Sequence, residues 1–259
     1  MIAKLSKLLP FGLQVEVPPG TGTAALSRAE LLAQVAVHKL VLVRGLGKIE
    51  KRELLALAAP DPARDLVHWN FGPVMEMKVD PKAENYLFSR ECVPFHWDGA
   101  FHIEPRVLLF HCLEAPNREF GGQTIFSDSE AIWNQASAAQ RNVWKKVELT
   151  FETEKKAHYG GRITRPLVQH HPDKPATILR FAEPVTTKLN PVSLEVKGLK
   201  SEFGDFLEEM RGLLYGEQFM YEHHWQENDL LLADNFSLLH GRREFSDSSP
   251  RHLRRLQIR

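Results

Sequence analysis

The chain has 259 residues, enough for one large domain with its own core, and its 33 Lys and Arg residues balance 33 Asp and Glu residues. A neutral chain lacks the basic field that attracts nucleic acids and anionic lipids, so we expect no nucleic-acid or membrane partner. Cys92 and Cys112 form neither a CxxC motif nor a disulfide framework, and the N-terminus lacks the apolar segment of a signal peptide. We therefore expect a cytoplasmic protein; its oligomeric state stays open.

The first seventy residues are predicted to mix helices and strands. Ser27 to Glu30 has the pattern of a capping box, and the apolar residues behind it keep helical spacing to about Lys39. A strand at 40–43 and a helix at 49–58 follow. We expect an α/β N-terminal portion, at about 1–70, of a single domain 1–259.

Beyond residue 71 the pattern changes to short apolar segments between turns. The predicted strands are 74–79, 106–113, 123–126, 147–151, 177–181, 218–225, 229–234 and 252–258. Two helices, 130–144 and 199–214, interrupt them. Many strands with a few helices outside them predict a mainly β fold with flanking helices, a double-stranded β-helix or jelly roll.

One pattern carries metal chemistry. His96 and Asp98 stand two residues apart, and alternate residues of a strand point to the same side. With a distant histidine, His240, they can supply three ligands on one face of a metal. Two imidazoles and a carboxylate that leave open positions are the ligand set of non-heme Fe(II) oxygenases. A His-x-Asp pair is short, however, so these residues alone are candidates only.

Other histidine patterns are predicted to be unrelated to the metal. A second His-x-Asp, His171 to Asp173, has Pro172 between its two residues and is followed by Lys174 and Pro175, so we interpret it as an exposed turn. The adjacent pairs His170-His171 and His223-His224 are predicted to be structural or exposed. Neighbouring residues of a strand face opposite sides, so neither pair can chelate a metal from one strand.

Several ordered motifs together resemble the taurine/2,4-dichlorophenoxyacetate dioxygenase family of Fe(II)/2-oxoglutarate enzymes, over residues 71–259. The motifs are His96-x-Asp98-Gly99, Gly121-Gly122-x-Thr124-x-Phe126-x-Asp128, Arg165-Pro-Leu-Val-x-x-His171-Pro172, Asp234-Asn235 before His240-Gly241-Arg242, and Arg251-x-x-x-Arg255. Their order and spacing are more specific than any one motif.

The resemblance implies that the catalytic metal ligands are His96, Asp98 and His240, and that the metal is Fe(II). It also implies that Thr124 and Arg251 bind the distal carboxylate of 2-oxoglutarate, the co-substrate consumed together with O2. The chemistry suits those side chains, because a guanidinium can hold a carboxylate through two hydrogen bonds and a hydroxyl can donate another.

The substrate is expected to be a small organic acid. Arg255 lies four residues beyond Arg251, and in family members that act on acids an Arg at this position binds the substrate's anionic group. The segments 70–77 and 94–101 look most similar to oxygenases of isonitrile biosynthesis of the paerucumarin and rhabduscin type. That resemblance implies an aromatic amino-acid isonitrile, of tyrosine type, that is desaturated (with or without loss of CO2) or hydroxylated at its benzylic carbon. Asp98 argues against halogenation, since halogenating relatives have a small residue there.

Two alternatives stay open. The same enzyme class could act on a sulfonate, an alkyl sulfate or another small acid, although a ring-bearing substrate is favoured by the aromatic residues Phe88, Phe95, Trp97 and Phe101. A non-catalytic metal- or ligand-binding jelly roll, or a zinc hydrolase, could use the same metal ligands. Neither of these has a use for Thr124 and Arg251 together.

Overall fold

The computed structural model describes residues 4–82, 85–156, 159–199, 203–246 and 249–259. The strands of these ranges are β1 (Lys4–Lys7), β2 (Leu13–Thr21), β3 (Leu40–Leu46), β4 (Met75–Met77), β5 (Val93–His96), β6 (Val107–Glu114), β7 (Thr124–Asp128), β8 (Glu148–Lys156), β9 (Tyr159–Pro166), β10 (Val168–His170), β11 (Thr177–Leu179), β12 (Ser193–Lys197), β13 (Met220–His223), β14 (Leu230–Asp234), β15 (Leu238–Arg242) and β16 (His252–Ile258). The α-helices are α1 (Arg28–His38), α2 (Lys51–Ala58), α3 (Pro62–Asp65), α4 (Ser129–Gln135), α5 (Ala138–Trp144) and α6 (Phe203–Leu214).

Two sheets face each other across an apolar core. The larger has the strand order β1-β2-β3-β14-β6-β16-β4, and the smaller has the order β13-β7-β15-β5. Phe110 of the larger sheet and Phe126 of the smaller are fully buried, and their rings meet edge to face at 6.3 Å. The predicted mainly β jelly roll is confirmed.

The N-terminal residues extend the larger sheet. Helix α1 connects β2 to β3, which are parallel neighbours, as a βαβ crossover requires. Ser27 caps the helix by accepting a hydrogen bond from the Glu30 amide, and Leu31 and Val35 bury its inner side. Within the described ranges, no helix has the length and apolar composition of a membrane span.

The second face of the smaller sheet is also covered. Alternation along β15 sends Leu239 away from the jelly-roll core and His240 into it. Leu239 joins an apolar cluster that includes Phe151 of β8 and Phe206 of α6. Strand β5 and strand β15 are therefore packed from both sides, which holds the residues on them firmly.

Two helix predictions differ from the structure. The predicted helix 130–144 is two helices, α4 and α5, because Ser137 forms a new capping box with Gln140. The predicted helix 199–214 begins at Phe203 in the described ranges, and residues 200–202 lie outside them. Strands β1, β2, β9, β10, β12 and β15 were not predicted; several of these are exposed or short, so their alternation is a weak signal. A strand at His96 was expected, and β5 is that strand, although it ends at His96.

In the second His-x-Asp pattern Asp173 is exposed, but His171 is buried. His171 is 9% exposed, so its predicted exposure is wrong. Its Nδ1 accepts a hydrogen bond from the Asp173 amide, which leaves Nε2 to donate to Asp234 at 3.0 Å. Asp234 also accepts from the amides of Phe236 and Ser237. His171 therefore fixes the turn after β14 and takes no part in the three-residue metal group described below.

Asp234→Asn should lower the free energy of unfolding at pH 7 by about 2 kcal/mol, since one pKa unit corresponds to about 1.4 kcal/mol. Burial raises the pKa of Asp234, but the hydrogen bonds from His171, Phe236 and Ser237 outweigh it and lower this pKa to about 2. An Asp in an unfolded chain titrates near 3.9, so its contribution is present above about pH 4 and is lost as the pH falls toward 2. Urea titrations of both proteins should show a smaller difference at pH 3 than at pH 7, and an equal difference would contradict the assignment.

Candidate metal centre and substrate cavity

The smaller sheet brings two histidines together. His96 ends β5 and His240 lies in β15, and the two residues are direct partners in the antiparallel pairing. Their rings are 4.3 Å apart between centroids. Asp98 does not continue the strand, as the sequence suggested, but lies in the turn that follows it. The structure nevertheless brings all three side chains together.

The turn that carries Asp98 has two anchors. Gly99 has a φ of +86°, and a Cβ there would lie 2.2 Å from the Ile103 carbonyl oxygen, so only glycine fits. The Asn235 side chain accepts a hydrogen bond from the Asp98 amide at 2.9 Å and donates to the Asp98 carbonyl at 3.1 Å. The Asp-Asn pair of the sequence motif thus has a structural role, since Asn235 holds the backbone of the carboxylate residue.

Three ligand atoms converge. His96 Nδ1 lies 2.9 Å from the Pro94 carbonyl oxygen, which can only accept, so Nδ1 carries the proton and Nε2 presents its lone pair. That Nε2 atom is 3.6 Å from Asp98 Oδ1, and His240 Nε2 is 3.7 Å from the same oxygen. All three atoms lie within 4.8 Å of one another. Two imidazole nitrogens and one carboxylate oxygen fit an Fe(II) site with open positions.

The protonation states also suit a metal. Burial raises the pKa of Asp98, but the Arg255 guanidinium and the two imidazoles outweigh it, so this pKa lies below its usual value. Burial and the neighbouring His96 hold the pKa of His240 well below its usual value. Asp98 is therefore an anion and His240 is neutral, the forms in which both act as ligands.

The second oxygen of Asp98 is occupied by residues of the opposite sheet. Arg255 Nη1 lies 2.9 Å from Oδ2 and also donates to Oδ1 at 3.1 Å, while Gln257 Nε2 donates to Oδ2 at 2.6 Å. Both residues are about 3% exposed. The predicted substrate residue Arg255 thus contacts a proposed metal ligand directly, and its Nη2 lies 3.1 Å from Met75 Sδ.

Thr124 and Arg251 form a second polar group beside the histidines. Arg251 is 5% exposed; its Nε donates to the Gly122 carbonyl and its Nη2 to Thr124 Oγ1 at 3.2 Å. The Trp225 indole also donates to Thr124 Oγ1, at 2.9 Å. Thr124 and Arg251 line a cavity of about 20 Å³ that His96 and His240 also border. The structure therefore places the predicted co-substrate residues next to the metal group.

A larger cavity of about 310 Å³ opens on the other side of the metal group. His96, Asp98 and Arg255 are among its polar lining residues. Its walls carry many aromatic rings, among them Trp69, Tyr86, Phe88, Trp97, Phe101 and Tyr159. Three of the four aromatic residues singled out in the sequence therefore border this space, while Phe95 is fully buried against Tyr215.

A family model described as "Taurine catabolism dioxygenase TauD, TfdA family" matches residues 5–257. The chain belongs to this family. It is an Fe(II)- and 2-oxoglutarate-dependent dioxygenase that acts on a small molecule. The TauD/TfdA family model covers the two sheets and the metal group together, which agrees with the resemblance seen in the motifs.

Relatives within the TauD/TfdA family carry names from isonitrile chemistry. The chain is 41% identical to 3-((Z)-2-isocyanoethenyl)-1H-indole synthase of Fischerella ambigua, over 98% of this chain and 94% of that protein. It is 35% identical to tyrosine isonitrile desaturase of Pseudomonas aeruginosa, over 96% and 87%. The crystal structure of PvcB from Pseudomonas aeruginosa superposes with a TM-score of 0.82 at 31% identity, over 99% of this chain and 91% of that one. A second structure describes PvcB as an Fe, alpha-ketoglutarate dependent oxygenase from an isonitrile synthetic pathway.

Three residues near the TauD/TfdA-type centre were missed in the sequence. Gln257 could have been found, because it lies two residues beyond Arg255 on the same side of a strand. Trp225 gave no signal, since only the fold brings it to Thr124, 101 residues away in sequence. Trp69 likewise reaches Gln257 across 188 residues.

Proposed function

We propose that the protein desaturates an aromatic amino-acid isonitrile at its benzylic carbon. The observation that carries the proposal is the cavity of about 310 Å³, which has aromatic walls and is also lined by His96 and Asp98 of the metal group. A phenol or indole ring matches such walls, since aromatic pairs add to the free energy of burial. The relatives at 41% and 35% identity are named for isonitriles of both ring types, which supports the same substrate class.

We assign the metal to His96, Asp98 and His240, and the distal carboxylate of 2-oxoglutarate to Arg251 and Thr124. Arg251 is a buried guanidinium, and an anion would offset the free energy of burying its charge. Thr124 Oγ1 already accepts from Trp225 and Arg251, so its own proton is free to be donated to that carboxylate.

Arg255 is proposed to orient the substrate's carboxylate. It borders the cavity beside the metal group, and its Nε is a buried donor without a hydrogen-bond partner in the described ranges. A carboxylate held there places the neighbouring carbons near the proposed metal ligands. The aromatic walls then exclude water from the reacting carbon and limit the directions that the ring can take.

The reaction balances as a two-electron oxidation. Iron held by His96, Asp98 and His240 would supply the oxidation by O2 and 2-oxoglutarate, with 2-oxoglutarate leaving as succinate and CO2 and the second oxygen atom leaving as water. The substrate loses one hydrogen from the benzylic carbon and either a second hydrogen or its carboxyl group, as CO2 and a proton, from the neighbouring carbon. A carbon–carbon double bond next to the isonitrile results. The protein's part is to bind, orient and shield the substrate.

The test is an aerobic incubation with Fe(II), 2-oxoglutarate and either tyrosine isonitrile or tryptophan isonitrile, in which succinate and substrate mass are followed together. We expect substrate-dependent succinate with a loss of two hydrogens, or of two hydrogens and CO2. A gain of one oxygen would replace desaturation by hydroxylation. No succinate above background with either isonitrile, in protein that binds iron and 2-oxoglutarate, would overturn the substrate class and leave a sulfonate, an alkyl sulfate or another small acid to be tried.

Trp225→Phe should raise the KM for 2-oxoglutarate about fivefold, because losing one hydrogen bond costs about 1 kcal/mol. Phenylalanine keeps the ring but removes the indole N–H that holds Thr124 Oγ1. Thr124→Val, which also removes the hydroxyl donor, should have a larger effect. Succinate formation at varied 2-oxoglutarate measures both, and an unchanged KM in Thr124→Val would contradict the assigned role.

A further inference from the structure

Asp98 is held by hydrogen bonds that begin in the wall of the large cavity. Gln257 Nε2 donates to Asp98 Oδ2 at 2.6 Å, and the Trp69 indole Nε1 donates to Gln257 Oε1 at 2.7 Å. Trp69 is one of the aromatic residues that line the cavity. Two short hydrogen bonds therefore connect an aromatic wall residue to the carboxylate of the metal group.

The orientation of the Gln257 amide follows from what its partners can do. An indole nitrogen only donates, so the amide oxygen must face Trp69. An ionised carboxylate only accepts, so the amide nitrogen must face Asp98. If the amide were flipped, its NH2 group would face the indole N–H and its oxygen would face the Asp98 carboxylate. Neither hydrogen bond could then form. The indole N–H thus selects the one amide orientation that donates to the carboxylate.

The two oxygens of the Asp98 carboxylate consequently have different contacts. Oδ2 of Asp98 receives Gln257 Nε2 and also lies 2.9 Å from Arg255 Nη1. Oδ1 is the oxygen that faces the imidazoles of His96 and His240, at 3.6 and 3.7 Å. Arg255 Nη1 also donates to Oδ1 at 3.1 Å, whereas Gln257 donates to Oδ2. Gln257 therefore occupies the oxygen that does not face the imidazoles, and Oδ1 is the oxygen presented to a metal.

We propose that Trp69 and Gln257 are positioning residues that make Asp98 a one-oxygen ligand and connect the cavity wall to the metal centre. The inference rests on the proposed assignment of Asp98 to the metal. Trp69 also contacts two further rings: Phe71 stacks on it at 6.3 Å, and the tilted ring of His102 lies 5.2 Å away. Phe71 is 51% exposed, so this part of the wall lies at the mouth of the cavity. An occupant that shifts Trp69 shifts the hydrogen bond on the metal ligand.

The test uses Co(II) as a probe and needs no substrate. Metal-free wild type, Gln257→Leu and Trp69→Phe are titrated with Co(II), and the visible d–d spectrum gives both affinity and ligand geometry. Loss of such an outer-sphere partner weakens metal binding about 10- to 100-fold, so we expect this range for Gln257→Leu and a weakening near its lower end for Trp69→Phe. The double variant should be no weaker than Gln257→Leu, because both residues act through one chain of bonds.

Phe71→Leu is the matched control. It removes the ring that stacks on Trp69 but leaves the indole N–H in place, so its Co(II) affinity should lie within twofold of wild type. Thermal unfolding of the metal-free variants checks that each is folded, and Trp69→Phe, the conservative change, carries the test where Gln257→Leu does not fold.

Two outcomes would overturn the inference. One is Co(II) affinity within twofold of wild type in both single variants. The other is a loss in the double variant equal to the product of the single losses, since independent structural damage multiplies. Asp98→Ala is titrated beside them. Unchanged affinity in Asp98→Ala would overturn the ligand assignment itself, whereas a loss there with unchanged positioning variants would overturn only the role of Trp69 and Gln257.

Discussion

Asp98→Ala should lower turnover on the order of a thousandfold, since losing a ligand removes several kcal/mol of metal-assisted stabilisation. It should also destabilise the metal-free protein by about 3–5 kcal/mol, the typical cost of leaving a buried charge without its partner. Arg255 is only 3% exposed and its Nη1 lies 2.9 Å from the Asp98 carboxylate. The second effect is unusual for a metal ligand, because removing a ligand commonly relieves repulsion in the empty site.

The two effects can be separated with a second change. Arg255→Met in the Asp98→Ala background replaces the remaining charge by an apolar side chain of similar length, and apolar replacement of a buried ion pair is often neutral in stability. Urea unfolding should show the stability largely restored, while succinate formation stays lost. Equal stability of Asp98→Ala and wild type would contradict the buried ion pair. If Arg255→Met does not restore the stability, the loss in Asp98→Ala would be assigned to the backbone of the turn at Gly99 instead.

Arg251→Gln should raise the KM for 2-oxoglutarate about 100-fold, as expected for losing a charge-assisted, two-bond contact with a carboxylate. The metal-free variant should be as stable as wild type or more stable. Burial and the nearby Arg242 hold the pKa of Arg251 well below its usual value. Its described partners are the Gly122 carbonyl, the Thr124 hydroxyl and the Phe245 ring, and they include no carboxylate. Burying this cation without an anion costs stability, and a bound carboxylate would offset that cost.

Arg243→Gln is the control for this change. Arg243 pairs with Glu222 at 3.1 Å and is about 39% exposed, so neither the KM nor the stability should move appreciably. Steady-state succinate formation and urea titration measure both quantities in both variants. A KM for Arg251→Gln within threefold of wild type, or a variant clearly less stable than wild type, would contradict the role assigned to Arg251.

The metal group could be anticipated from sequence because its signal is local or fixed by family spacing. His96 and Asp98 are two residues apart, and His240 stands in a second motif at a fixed distance from Arg251. Gly99 indicates the turn after His96, which strand alternation alone did not predict. The sequence indicates which residues are the candidate ligands, while the pairing of β5 with β15 brings His96 and His240 together.

The support of that group could not be anticipated, because it comes from the other sheet. The contacts of Arg255 and Gln257 with Asp98 join residues more than 150 apart in sequence. The sequence around Arg255 gives no signal that its side chain contacts the carboxylate of Asp98 rather than pointing into the open cavity. The burial of His171 was missed for a related reason: its partner, Asp234, is 63 residues away.

The division of the centre between two distant strands has a consequence for how the enzyme acquires iron. His96 and Asp98 leave the ribosome long before His240, and the Arg255 and Gln257 donors of β16 follow later still. Contacts of such separation form late, after the intervening loops have closed. A nascent chain therefore carries only two of the three proposed ligands, without the Arg255 and Gln257 donors, through most of its synthesis. We expect the proposed iron site to form only in the finished fold.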